Sequence, residues 1–234
     1  MPKTLLAIGA HYDDCVFGVA GIMLQAVAKH YRVVNLSLIG DYEGWPPIGK
    51  RHKELLVQTK ELNASYGVET RFLDFKSHRF DVTDDTKRAA AAAVAEIRPD
   101  VALMLWRHDH HDDHVVASQL SGIALRYASS LVAAPHAAET QYKPPRRIYL
   151  YDNGPRHTIG FEPDVFVDVS DVWPRAIEWL GKLMAIVQDK PYVPNDPDGA
   201  RQTKEALARY RGQTCGVKYS EALRGMNAEP REIL

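Results

Sequence analysis

One apolar run near the start of the chain does most to limit the fold. Residues 4–10 read Thr-Leu-Leu-Ala-Ile-Gly-Ala, with no alternation of apolar and polar positions. A strand of that composition has no face to give to water and belongs in a sheet covered on both sides. Small and apolar residues at helical spacing follow over 15–30, then a strand rich in β-branched residues and leucine over 32–38. A turn-rich loop over 40–49 carries Trp45-Pro46-Pro47. The next helix, 50–66, places Leu55, Leu56, Thr59, Leu62 and Asn63 on one face and stops at Gly67. A strand at 69–75, an alanine-rich helix at 83–97, a strand at 101–106 and a helix at 114–131 continue the alternation.

Four such exchanges predict an α/β fold: a Rossmann-like, doubly wound, mostly parallel sheet with helices on both faces. Right-handed crossovers give the strand order 3-2-1-4 at this end. Strands at 147–151 and 165–169 come next, then helices at 172–188 and 199–210, separated by Pro191, Pro194 and Pro197. No repeat, low-complexity tract or linker divides the chain, so residues 1–234 are expected to form one domain.

Charge and cysteine content exclude several partners. The 29 Lys and Arg against 30 Asp and Glu give no electrostatic reason to bind nucleic acid or an anionic membrane. Cys15 and Cys215 do not make a disulfide framework, which points to a reducing compartment. No apolar run is long enough to span a bilayer, and the first one is broken by His11 and Asp13-Asp14, unlike a signal peptide. A cytoplasmic protein without membrane insertion is expected.

Chemistry concentrates at two strand ends. Residues 108–114 are drawn only from His and Asp: His108-Asp109-His110-His111-Asp112-Asp113-His114. Such a run is not core material, because each side chain would need a buried partner. A solvated polar loop is the plain alternative, but this run follows an apolar strand directly, where open α/β sheets hold ligands. A second cluster, Ala10-His11-Tyr12-Asp13-Asp14, follows the first strand. With the two strands adjacent, both clusters open into one crevice. Imidazole nitrogens and carboxylate oxygens are ligands that zinc accepts, and three of them plus an open position make a hydrolytic site. A spare carboxylate could then take a proton from water and a spare histidine meet an oxyanion. Residue chemistry leaves open which of Asp13 and Asp14 binds metal.

These segments resemble the LmbE-like, or PIG-L-like, zinc-dependent N-acetylglucosaminyl deacetylases. Their first motif, Ala-His-Pro-Asp-Asp-Glu, is matched at four of six positions by Ala10-His11-Tyr12-Asp13-Asp14-Cys15. Their second, Asp-x-His-Pro-Asp-His, is matched by Asp109-His110-His111-Asp112-Asp113-His114. Arg51-His52-Lys53-Glu54 fits the family's Arg-x-x-Glu. Arg211-Gly212 and the segment from Gly216 to Leu223 are similar to the tail of the branch that includes bacillithiol-pathway deacetylases.

The resemblance implies His11, Asp14 and His114 as zinc ligands, Asp13 as general base and His111 as oxyanion stabiliser. It also implies Asp113 as the support of a charged His111, and Arg51 as a grip on substrate. Asp109 is a further candidate for substrate contact. The implied reaction removes acetyl from a small N-acetylated sugar of the N-acetylglucosamine type. The implied assembly is a homo-oligomer, a trimer or hexamer. Ferrous iron suits a His-His-carboxylate site as well as zinc does. Tyr12 and Trp45 offer aromatic faces for a sugar ring. Tyr12 and Asp112 stand where the family has proline and Cys15 where it has glutamate. Those departures keep open a zinc amidase acting on a non-sugar amide, or a binding protein without catalysis. Cys15 reads as a buried small residue rather than a ligand, and His108 and His110 as solvated neighbours of the ligands.

Overall fold

The computed structural model describes residues 2–132 and 142–227. Along them run β1 (Thr4–Gly9), α1 (Asp14–Ala28), β2 (Arg32–Asp41), α2 (His52–Ser65), β3 (Val68–Lys76) and α3 (Asp84–Ile97). Then come β4 (Val101–Leu105), α4 (Asp112–Leu131), β5 (Arg147–Tyr151), β6 (Val165–Asp168), α5 (Trp173–Gln188), α6 (Gly199–Cys215) and β7 (Ser220–Gly225). The strands make one sheet in the order β3-β2-β1-β4-β5-β7-β6. The first five pair in parallel, and β7 runs antiparallel to both β5 and β6. The expected order at the β3 end is therefore found. The sequence reading had no strand at β7, which slots between β5 and β6.

All six residues of β1 are buried, as an unbroken apolar run between two neighbours requires. Its register with β4 runs from Leu5 opposite Val101 to Ile8 opposite Met104, so the two carboxyl ends lie level. From β1 the chain leaves towards β2 on one side, and from β4 towards β5 on the other. The loops after β1 and β4 thus flank the switch point where such sheets bind ligands.

Two helices start at that edge. His111 is the N-cap of α4, and its ring accepts the N–H of Asp113. The helix starts two residues before the expected position, which puts His114 in its first turn. Asp14 opens α1, and this helix is interrupted at Val19, whose φ of −138° and ψ of 29° are not helical. Trp173 and Trp179 are core residues, the Trp179 indole N–H donating to Asn63 Oδ1 at 2.8 Å. Among the described residues no helix is long and apolar enough to cross a membrane.

Candidate active site

The first cluster is folded by its own carboxylate. Asp14 Oδ2 accepts the backbone N–H groups of Ala10 and His11 at 2.8 and 2.7 Å, closing the turn between β1 and α1. Gly9 is required there, since a Cβ would stand 2.8 Å from Asp14 Cβ. The turn carries the His11 ring towards α4. His11 Nδ1 lies 3.2 Å from His114 Nε2 and 3.6 Å from Asp14 Oδ2, and His114 Nε2 lies 3.2 Å from Asp14 Oδ1. Tetrahedral zinc with bonds of about 2.0–2.1 Å separates its ligands by about 3.4 Å. Two nitrogens and one carboxylate at this spacing fit a divalent cation.

Each histidine is backed by a second carboxylate. Asp109 Oδ2 lies 3.0 Å from His114 Nδ1, and its Oδ1 accepts the His111 N–H at 2.8 Å. Asp113 Oδ2 lies 3.2 Å from His11 Nε2. Asp113 is itself held by the Ser77 hydroxyl at 2.6 Å and the His78 N–H at 2.8 Å. Carboxylates behind the outer nitrogens fix the rings and their tautomers and raise ligand basicity. Asn153 completes the set, its Nδ2 donating to Asp14 Oδ1 at 2.7 Å. Asp113 therefore serves His11, not the expected His111, from whose Nδ1 it stands 4.0 Å away.

The charges follow from this packing. Burial works against ionising Asp14, yet His114 and His11 hold its carboxyl well below the ordinary value. Asp109 and Asp113 are also lowered, because hydrogen bonds from the histidines outweigh burial. Burial opposes a charge on His11 and His114, but their carboxylate neighbours raise them to about 9 and about 10. The cup calls for positive charge, and in the metal-free chain protons supply it. Asp13 is different: burial and the Asp14 charge raise it to about 6. His111 is pushed down to about 4, by burial first and then by the charges on His11 and His114. In the metal-free chain these neighbours disfavour the charged His111 expected from the sequence.

A cavity of about 660 Å³ opens over the cup. Asp13, His111, His78, Asn153, Arg156 and His157 line it, together with Tyr12, Tyr42 and Trp45. The three aromatic rings pack on one another with centroids 5.7–6.1 Å apart, and Trp45 is the one left half-buried. Phe17, Leu180, Met184 and Ala200 form an apolar wall. Asp109 is buried behind His114 and does not line the cavity.

Arg51 does not line it either. Its guanidinium donates to the carbonyls of Ile186 and Val187 at 3.3 and 3.1 Å, in the last turn of α5, where carbonyls lack helical partners. In this geometry Arg51 ties α2 to α5. Cys15 is buried beside Tyr151, its thiol pushed up by burial, and stands outside the ligand groups. His108 and His110 are exposed. Sequence reasoning missed Ser77, His78, Asn153, Arg156 and His157, whose neighbours in the chain carry no motif.

The chain is similar to known proteins to differing degrees. The diacetylchitobiose deacetylase of Thermococcus kodakarensis is 25% identical over 244 residues, spanning 95% of this chain and 82% of that one. Among solved structures, the 4-carboxy-2-hydroxymuconate hydratase of Pseudomonas putida superposes with a TM-score of 0.80 at 17% identity, over 99% of both chains. An N,N'-diacetylchitobiose deacetylase from Pyrococcus horikoshii superposes with a TM-score of 0.71 at 18% identity, over 96% of this chain and 84% of that one. Those likenesses show the fold, and a hydratase among them shows that the fold alone does not name a reaction. Residues 6–125, which include His11, Asp13, Asp14, His111 and His114, match the PIG-L model described as GlcNAc-PI de-N-acetylase, and the chain belongs to that family.

Proposed function

We propose that the protein is a zinc-dependent N-deacetylase that hydrolyses the acetamide of an N-acetylglucosamine-type sugar and releases acetate. The observation that carries this reading is the His11–Asp14–His114 set with a free carboxylate, Asp13, beside it on the cavity floor. Pure metal binding has no use for that extra carboxylate. A bound zinc ion would polarise the acetyl carbonyl and make water easier to deprotonate.

The chain's own groups do the rest. Asp13, ionised above about pH 6, takes the proton of the attacking water. The His111 ring accepts the Asp113 N–H at Nδ1, so its neutral form carries hydrogen on Nε2 and can donate to the developing oxyanion. Asp13 then returns its proton to the leaving amine. Trp45 offers aromatic surface to the pyranose, with the buried Tyr12 ring packed against the indole. The two cysteines are unpaired, which suits the cytoplasm.

Acetate release from a panel of N-acetylglucosaminides and simple non-sugar amides, with and without a chelator, tests this reading. Sugars should be cleaved, simple amides spared, and chelation should abolish turnover; elemental analysis of the active protein separates zinc from iron. Asp13→Ala should lower turnover at least about a hundredfold with metal still bound. No acetate from any sugar by metal-loaded protein, or near-normal turnover in Asp13→Ala, would refute it.

A further inference from the structure

Two buried charges take no part in the chemistry above. Lys204 on α6 and Glu221 on β7 are 2% and 4% exposed, with Lys204 Nζ 2.8 Å from Glu221 Oε1. Glu221 belongs to the tail segment singled out in the sequence, to which the site assigns no task. The pair lies against the interruption of α1.

Breaking a helix leaves carbonyls without partners before the break and N–H groups without partners after it. Here the pair meets both sets. Lys204 Nζ donates to the carbonyl of Phe17, before Val19. Glu221 Oε1 accepts the N–H of Gly21 at 3.0 Å, and its Oε2 accepts that of Ile22 at 2.8 Å, after Val19. The interrupted helix is pressed close to its neighbours. A Cβ at Gly18 would stand 2.4 Å from the Tyr151 ring, and one at Gly21 would stand 2.7 Å from Val169.

The short piece before the break carries the site. It starts at Asp14, with Asp13 as its N-cap, and Phe17 lines the cavity. Asp14 is anchored independently by Ala10, His11 and Asn153. The Asp13 carboxyl meets the Tyr12 hydroxyl, and the backbone that carries it belongs to this one turn: its carbonyl accepts the Phe17 N–H at 2.8 Å, and the Phe17 carbonyl is taken by Lys204. A longer unbroken helix would stiffen that turn by propagation, and this one does not.

We infer that Lys204 and Glu221 are positioning residues for Asp13, joining the two pieces of α1 so that the base is held in its reactive direction. The inference rests on the deacetylase reading for the role of Asp13, but the joint itself does not. A plain structural pair would only hold α6 and β7 to the core.

The test compares Lys204→Met, Glu221→Gln and the double variant in the zinc-loaded full chain. Each single change leaves a charge or a donor unmatched. The double variant removes both charges together but leaves the Phe17 carbonyl and one of the Gly21 and Ile22 N–H groups without a partner, so it should fold with full zinc content at a lowered melting temperature. Its kcat should nevertheless fall about tenfold or more with KM within about twofold, as for a displaced catalytic group. The Gly21 and Ile22 amides should exchange with solvent at least about tenfold faster. A folded, zinc-loaded double variant with wild-type kcat overturns the positioning role. If the wild-type protein releases no acetate, the deacetylase reading fails by itself, and the exchange measurement still decides on the joint. Unchanged protection at Gly21 and Ile22 overturns it.

Discussion

His111 shows how one imidazole is assigned a protonation state by its company. Burial and the positive charges on His11 and His114 push it down to about 4 in the metal-free chain, which favours the neutral ring. A neutral ring can still donate one hydrogen bond, but it contributes no basic limb to a rate profile. Asp13, raised to about 6, has its half-ionisation near that pH in the metal-free chain, and a bound cation draws it lower. The kcat/KM profile should therefore rise through a midpoint at or below pH 6, with no fall between pH 7 and 8 traceable to His111. Asp113→Asn should leave that upper region unmoved and instead weaken zinc binding about 10- to 100-fold, because it removes the carboxylate behind His11. Rate profiles and chelator competition on the variant check both halves. The sequence made two His and Asp clusters at strand ends legible from residue type and position, and the family resemblance singled out His11, Asp13, Asp14, His111 and His114 within them. It could not show Asn153, which reaches Asp14 across 139 positions by one hydrogen bond. An asparagine in a loop looks the same whether or not it makes such a bond.

At the scale of elements, the site depends on how tightly α1 turns away from β1. Gly9 ends the strand within contact distance of Asp14, and its replacement by alanine pushes a methyl group to 2.8 Å from Asp14 Cβ. Neither side is a flexible side-chain end, so the turn itself must shift. Gly9→Ala should cost about 1–3 kcal/mol of stability, the range for overpacking, and weaken metal binding as Asp14 moves. Denaturant melts with and without zinc check this, and a variant with unchanged stability and affinity would show the turn to be slack. Elements of strong period or uniform apolarity were readable: β1, β4 and α5 stand where the pattern puts them. The strand β7 was not, because Ser-Glu-Ala-Leu-Arg-Gly has neither clean alternation nor an apolar run. Its charged Glu221 is tolerated inside only because Lys204 and two backbone N–H groups wait for it. Tertiary partners decide such a strand, and its local sequence does not contain them.

The whole molecule feels the state of the cup. Without metal, the folded chain holds protons on His11 and His114 with values near 9 and 10, against about 6.5 for histidine in the unfolded chain. Groups raised in the folded state stabilise it fully below the unfolded value and lose that contribution as pH climbs through the folded ones. Chelated protein should thus lose thermal stability progressively between about pH 6.5 and pH 10. A bound divalent metal would remove the need for those protons, so metal-loaded protein should resist that loss. At a hundredfold excess over its Kd, the metal adds about 2.7 kcal/mol. Melting curves across that range check the divergence, and parallel curves for the two forms would contradict it. The position of β7 bears on how the chain is made. On a ribosome, β6 emerges before α5 and α6, while β7, its sheet neighbour among the described residues, comes after both. At about 5–20 residues per second, β6 waits several seconds with unpaired backbone groups. Nascent chains halted in that interval would expose a sticky edge even though every metal ligand had already been synthesised, which makes the interval a natural point of demand on chaperones.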